Sequence, residues 1–313
     1  MTLLRWIRVA ASTCCALSLS VTPVLAAERH AGAADNVASS FKAPNDSTPP
    51  SVARRWVDED AELWSYVESN VPSILDHTGN SAFDEHLRGV QSVLRGWNSP
   101  DHIVKAGLFH SLYGTEGFQG FSLPLSERGA IRDLIGERAE RLCWIFCMVD
   151  RMTVDESAID WTAEESCGDG EEDRVLTFSS RAELGRFSIT VGREEWLDFL
   201  ELTLADWLEQ VEGASFNPSD LFLWRAGESY AYRRDAYAAM SELLARERQG
   251  RLGEVVPRMH RAVYGTERND TRHLVQPRTP PMSEAAARAL EALRSAGEAI
   301  PVNLRPVGRE RLD

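Results

Sequence analysis

His86 and His110 are the two side chains whose type and placement best suit chemistry. Imidazole is a common metal ligand, and its ordinary pKa lies close to neutrality. His86 shares a helical stripe with Phe83, Leu87, Val90 and Leu94, and His110 ends a stripe through Ile103, Ala106 and Gly107. Two consecutive amphipathic helices therefore aim one imidazole each toward the same interior. A single histidine on an apolar face is ordinarily a satisfied core residue, whereas two together point to a shared metal or catalytic site. Both readings stay open on this pattern alone. His77, in Asp76-His77-Thr78-Gly79, lies in a loop positioned to close over such a site. Ser111 is a nucleophile candidate with His110 or His77 as base. Against it, neighbouring helix residues diverge and no nucleophile elbow surrounds it. His102, in the first turn of its helix, is expected at the surface, and His273 has no case.

The elements that carry these residues read as helices nearly throughout, with no convincing alternating strands. Helices are expected over Asp58–Ile74, Ser81–Trp97 and Pro100–Leu112. Ser99-Pro100-Asp101 opens the third with a capping hydroxyl, a proline and a first-turn acid. Ser126 caps a short helix ending at Gly136, and Glu137–Arg151 is apolar nearly all round, so it belongs deep in the core. Cys143 and Cys147 lie one turn apart there, as buried thiols rather than a strained bridge. The dense acids of 155–173 read as a solvated loop, and 175–191 as a short hairpin or irregular crossing. Arg193–Val211 and Glu228–Arg248 are amphipathic helices, followed by a helix over 252–265. Beyond a proline-bearing segment, Ser283–Ser295 makes a peripheral helix with Gly297 at its stop.

The formal net charge of −14 argues against nucleic acid and against an electrostatic membrane anchor as partners, because both need a basic face. A small molecule or another protein fits better. Residues 1–27 carry Arg5 and Arg8, no acid, an apolar stretch and small residues before Ala26 and Ala27, the pattern of a cleaved export signal. Import into an organelle is the alternative, and stable membrane insertion is not expected once the leader is gone. The domain plan is thus a leader over 1–27, a disordered linker over 28–55, one helical domain over 56–265, and a peripheral segment over 266–313. Composition leaves the oligomeric state open.

Phe109-His110-Ser111-Leu112-Tyr113-Gly114-Thr115-Glu116 resembles the central motif of an uncharacterised domain family. The preceding His-x-Thr-Gly…Asp-x-His-Leu-x-Gly segment, from Asp76 to Gly89, and Ile135–Leu142 fit the same family. That resemblance implies a fold but no activity. More distantly, the layout is similar to the HD superfamily of helical metal-dependent phosphohydrolases, particularly those hydrolysing guanosine tetraphosphate. His86 and His110 have the spacing of its first two histidines, and Leu204-Ala205-Asp206-Trp207-Leu208 resembles the segment bearing its last metal-binding aspartate. The resemblance implies an all-α, HD-domain-like bundle with a divalent ion (Mn, Fe or Zn) on His86, His110 and Asp206. One departure matters: Ser111 stands where HD proteins carry a ligand aspartate, and Asp150 or Glu116 would have to replace it.

The activity so implied is hydrolysis of a phosphorylated small molecule or nucleotide. Glu116 would orient or deprotonate the attacking water, and Arg233, Arg234 and Tyr113 would bind substrate. The base-rate alternative for the two arginines is an ionic helix face. Two other readings stand beside hydrolysis: a degenerate HD-like module that binds without turnover, argued by Ser111, and an iron-dependent HD-like oxygenase.

Overall fold

The computed structural model describes residues 49–70, 82–115, 123–163, 175–181, 184, 187–216, 225–274 and 295. The leader, most of the linker, His77, Glu116, Cys167 and most of the helix expected over Ser283–Ser295 lie outside these residues. The described fold is all-α apart from one short hairpin, as the sequence pattern implies.

Helices α1 (Pro50–Glu59) and α2 (Ala61–Asn70) lead into α3 (Ala82–Gly96) and α4 (Asp101–Phe109). The first begins ahead of Trp56, where order was expected. Arg95 of α3 pairs bidentately with buried Asp60 (2.7 and 2.9 Å), and its guanidinium lies 4.9 Å from the Trp56 ring centre. Ser99 does not cap α4. The cap position is Pro100, and the Ser99 hydroxyl instead donates to Glu201, a stronger, charged acceptor.

A 3-10 turn (Leu125–Glu127) precedes α5 (Arg128–Ile135), which ends at Gly136 as its sequence suggested. Gly136, at φ 91°, closes α5 and opens α6 (Glu137–Met148) in a backbone conformation that side chains resist. Helix α6 is buried on most of its circumference, and both cysteines are free, buried thiols. It stops short of Arg151 because Val149 bridges Ser180 and the Asp150 amide bonds to the Ser179 carbonyl. Asp150 then accepts from the Met152 amide at 2.9 Å, so its carboxylate serves the start of α7 rather than a metal.

Helix α7 (Arg151–Ala163) corrects the reading of 155–173 as a loop over its first part. Val154, Ala158 and Trp161, at helical spacing, are all buried, and the acids lie between them. Strands β1 (Val175–Ser179) and β2 (Ser188–Gly192) pair antiparallel, Val175 opposite Gly192 and Ser179 opposite Ser188. Alternation sends Leu176, Phe178, Ile189 and Val191 inward.

The centre of the fold is α8 (Arg193–Ala214), which packs on α3, α4 and α6 and on two later helices, α9 (Arg234–Glu247) and α11 (Val255–Gly265). A 3-10 turn (Glu228–Ala231) and the short α10 (Gln249–Leu252) connect these pieces. Trp196 of α8 stacks on Phe178 (4.9 Å) and Phe199 (6.0 Å); Phe199 meets Phe146 (6.3 Å), and Phe146 meets the His110 ring (4.9 Å). The aromatic core thus runs up to the histidine edge-on. Among the described residues, no helix is long and apolar enough to cross a membrane.

Candidate metal centre

Three helices bring four polar side chains together: His86 from α3, His110 from the end of α4, and Asp206 and Glu209 from α8. Asp206 Oδ1 lies 3.1 Å from His86 Nε2 and 3.3 Å from His110 Nε2. The other nitrogen of each ring is also engaged. His110 Nδ1 lies 2.8 Å from the Gly107 carbonyl, and His86 Nδ1 lies 2.5 Å from Glu209 Oε2. A carbonyl only accepts, so Nδ1 of His110 carries a proton, and its Nε2 faces Asp206. His110 is buried, while His86 and Asp206 keep side-chain exposures of 16% and 14%, which leaves the cluster a solvent-facing side.

Close helix approach makes this possible. At Gly107 an added Cβ would meet Leu94 Cδ1 at 2.7 Å and the Gln91 backbone at 3.3 Å, so α3 packs closely against the bare backbone of α4 there. The rings are held by walls as well as bonds: the two imidazoles meet edge to face at 5.3 Å, with Phe146 behind His110. The Cys147 thiol donates to the His110 carbonyl at 3.1 Å, tying α6 to the end of α4.

The electrostatics follow from this arrangement. Burial works against charge on His86, but Asp206 and Glu209 on its two sides outweigh it and raise its pKa to about 10. Burial likewise works to raise the Asp206 carboxyl, and the hydrogen bonds from His110 and His86 overcome that, holding it well below the usual carboxylate range. Elsewhere the buried acids are matched with arginines: Asp60 with Arg95, Glu140 with Arg128, Asp198 with Arg138 and Arg248, Glu201 with Arg251, and Glu267 with Arg234. Asp206 and Glu209 face imidazoles.

The donor set fits a metal ion. One atom each from His86, His110 and Asp206 lies within 4.8 Å of the others. Ligands about 2.0–2.1 Å from a tetrahedral ion stand about 3.3 Å apart; the nitrogen–oxygen separations of 3.1 and 3.3 Å are of that size, while the three-atom set spreads to 4.8 Å and would have to draw together on one ion. Two imidazoles and a carboxylate suit Mn, Fe or Zn.

Other candidates fall elsewhere. Ser111 is buried, and its hydroxyl has no hydrogen-bond partner among the described residues. Tyr113 donates to buried Glu140 at 3.1 Å, so its hydroxyl fixes the turn after α4. Arg233, in a left-handed conformation at φ 50°, is engaged by Asp155, and Arg234 by Glu267 at 2.6 and 2.8 Å. His77 and Glu116 lie outside the described residues. His102 is partly buried, and its Nε2 lies 2.8 Å from Asp198. The residue that sequence reasoning missed is Glu209. Its only signal was its place three residues after Asp206, on the same helical face.

Residues 66–151 match the family described as Domain of unknown function (DUF6817). The matched stretch takes in His86 and His110 and ends before Asp206 and Glu209. No curated protein and no solved structure matches the chain.

Proposed function

We propose that this fold holds one divalent metal ion on His86, His110 and Asp206 and uses it for hydrolysis of a phosphorylated small molecule. The observation that carries the reading is the convergence of the three ligand atoms within 4.8 Å, with both imidazoles oriented through their second nitrogens. The HD-like spacing of the two histidines and the later aspartate is the sequence argument for the same chemistry. When bound, such an ion lowers the pKa of a water it holds and polarises a phosphoryl oxygen. The chain's own part is to present two imidazole nitrogens and one carboxylate from three helices, against an apolar wall on the Phe146 side. The partly exposed His86 and Asp206 edge admits water and substrate. Arg233 and Arg234, the sequence candidates for phosphate recognition, are engaged by Asp155 and Glu267. Substrate class therefore leans on the resemblance.

A second reading, binding without turnover, is favoured by Ser111. It is an uncharged hydroxyl, buried next to His110, where a second ligand carboxylate would otherwise stand. One set of measurements addresses both. Elemental analysis of the full-length protein should find close to one Mn, Fe or Zn per chain, lost in His86→Ala and Asp206→Ala. Phosphate release from a panel of nucleotides and phosphate esters should then depend on that ion. Absence of metal even after reloading would overturn the centre; metal without turnover would leave the binding module.

A further inference from the structure

We infer that Glu209 is a positioning residue of this centre, holding His86 in the orientation and tautomer that a divalent cation can use, and that Gly89 stays small to let it do so. The inference rests on the metal reading above, and adds to it a residue outside the matched family segment. Glu209 Oε2 sits 2.5 Å from His86 Nδ1, while His86 Nε2 faces Asp206 Oδ1 at 3.1 Å. With Nδ1–H donated to a carboxylate, the Nε2 lone pair is left for an ion, and the charged acceptor makes that nitrogen a better donor. His110 obtains the same orientation from a helix carbonyl, that of Gly107.

Gly89 supplies the independent observation. It lies one turn after His86 on α3, and a Cβ there would meet Glu209 Oε1 at 2.2 Å, Cδ at 2.7 Å and Cγ at 2.8 Å. The carboxylate end of Glu209 therefore lies directly on the α3 backbone, and a Cβ at residue 89 would have to push it aside. An ordinary exposed acid on an amphipathic helix has no such requirement. Charge agrees with geometry: Asp206 and Glu209 together bring two negative charges, which a divalent ion neutralises, whereas a trivalent one would leave a charge uncompensated in a largely buried setting.

The test measures Zn2+ and Co2+ affinity of the full-length chain by competition with a chromophoric chelator. Glu209→Ala and Gly89→Ala should each weaken binding by about 10–100-fold, the usual effect of losing an orienting partner. Glu209→Gln keeps an acceptor oxygen without the charge and should fall between wild type and Glu209→Ala. Glu212→Gln, further along α8, should bind as wild type does. In the zinc-loaded protein, nitrogen–proton correlation spectra should show a slowly exchanging proton on His86 Nδ1, and Glu209→Ala should speed its exchange with water, which a merely structural role would not alter. If the Glu209 variants bind both ions as tightly as wild type, or the His86 Nδ1 proton exchanges as slowly without Glu209, the inference is overturned while the metal centre stands. If wild type binds neither ion, the centre itself fails and the inference falls with it.

Discussion

At the scale of single residues, His86 is the group whose environment departs furthest from that of a core histidine. Flanked by Asp206 and Glu209, it has a folded pKa of about 10 against an ordinary value of 6.5. A raised pKa means that the charged ring stabilises the fold fully below pH 6.5, and that this contribution is lost as pH rises toward 10. Asp206 works in the opposite sense: its depressed pKa gives a contribution present above the ordinary carboxylate range and lost on strong acidification. With a chelator present, the melting temperature should therefore fall from pH 6.5 to 10, and His86→Gln should flatten that decline. Equal alkaline slopes in the two proteins would show that the ring is not charged between its two carboxylates. The histidines were legible in the sequence because each ends or sits within an apolar stripe. Glu209 was not, because an acid on an amphipathic helix looks the same whether it faces water or an imidazole from another helix. The partners of the two arginines were hidden for the same reason: Asp155 and Glu267 are 78 and 33 residues away in the chain.

At the scale of elements, α8 does more than carry Asp206 and Glu209. Its inward face bears four acids, and the first two, Asp198 and Glu201, hold other helices by charge. Glu201 accepts two bonds from Arg251 of α10, both 2.6 Å, and one from Ser99 at the start of α4. Removing one member of a buried pair strands the other, at a cost of about 3–5 kcal/mol. Glu201→Ala should thus lower stability by an amount near the lower end of that range, since Arg251 retains some exposure. Replacing both partners, Glu201→Leu with Arg251→Met, should recover much of the loss, read from urea midpoints at constant slope. A single variant costing less than about 0.5 kcal/mol would place Glu201 among the surface acids. The same scale shows where charge density misleads. Helix α7 was hidden because its acids suggested a solvated loop, although Val154, Ala158 and Trp161 kept a helical period beneath them. The hairpin was only half legible, since its five-residue strands are too short for alternation to stand out from loop sequence.

At the scale of the whole molecule, the centre is assembled from parts that are far apart in the chain. Both imidazoles come from the stretch that matches the domain family, and both carboxylates from α8, beyond its end. An ion held by them would therefore link α3, α4 and α8, three helices that pack on one another. Binding to the folded chain alone raises stability by mass action, about 2.7 kcal/mol when the free ion stands at 100 times its Kd. For a chain of this size, each kcal/mol moves the melting temperature by about 2–4 °C. Saturating Zn2+ or Mn2+ should thus raise the melting temperature by roughly 5–10 °C in wild type. His86→Ala, His110→Ala and Asp206→Ala should each abolish the shift, the first two from within the matched segment and the third from outside it. A shift that survived Asp206→Ala while vanishing in both histidine variants would confine the site to the matched segment and leave α8 as scaffold. Loss in all three would make the centre a property of the whole helical domain, with the family segment supplying only its nitrogen half.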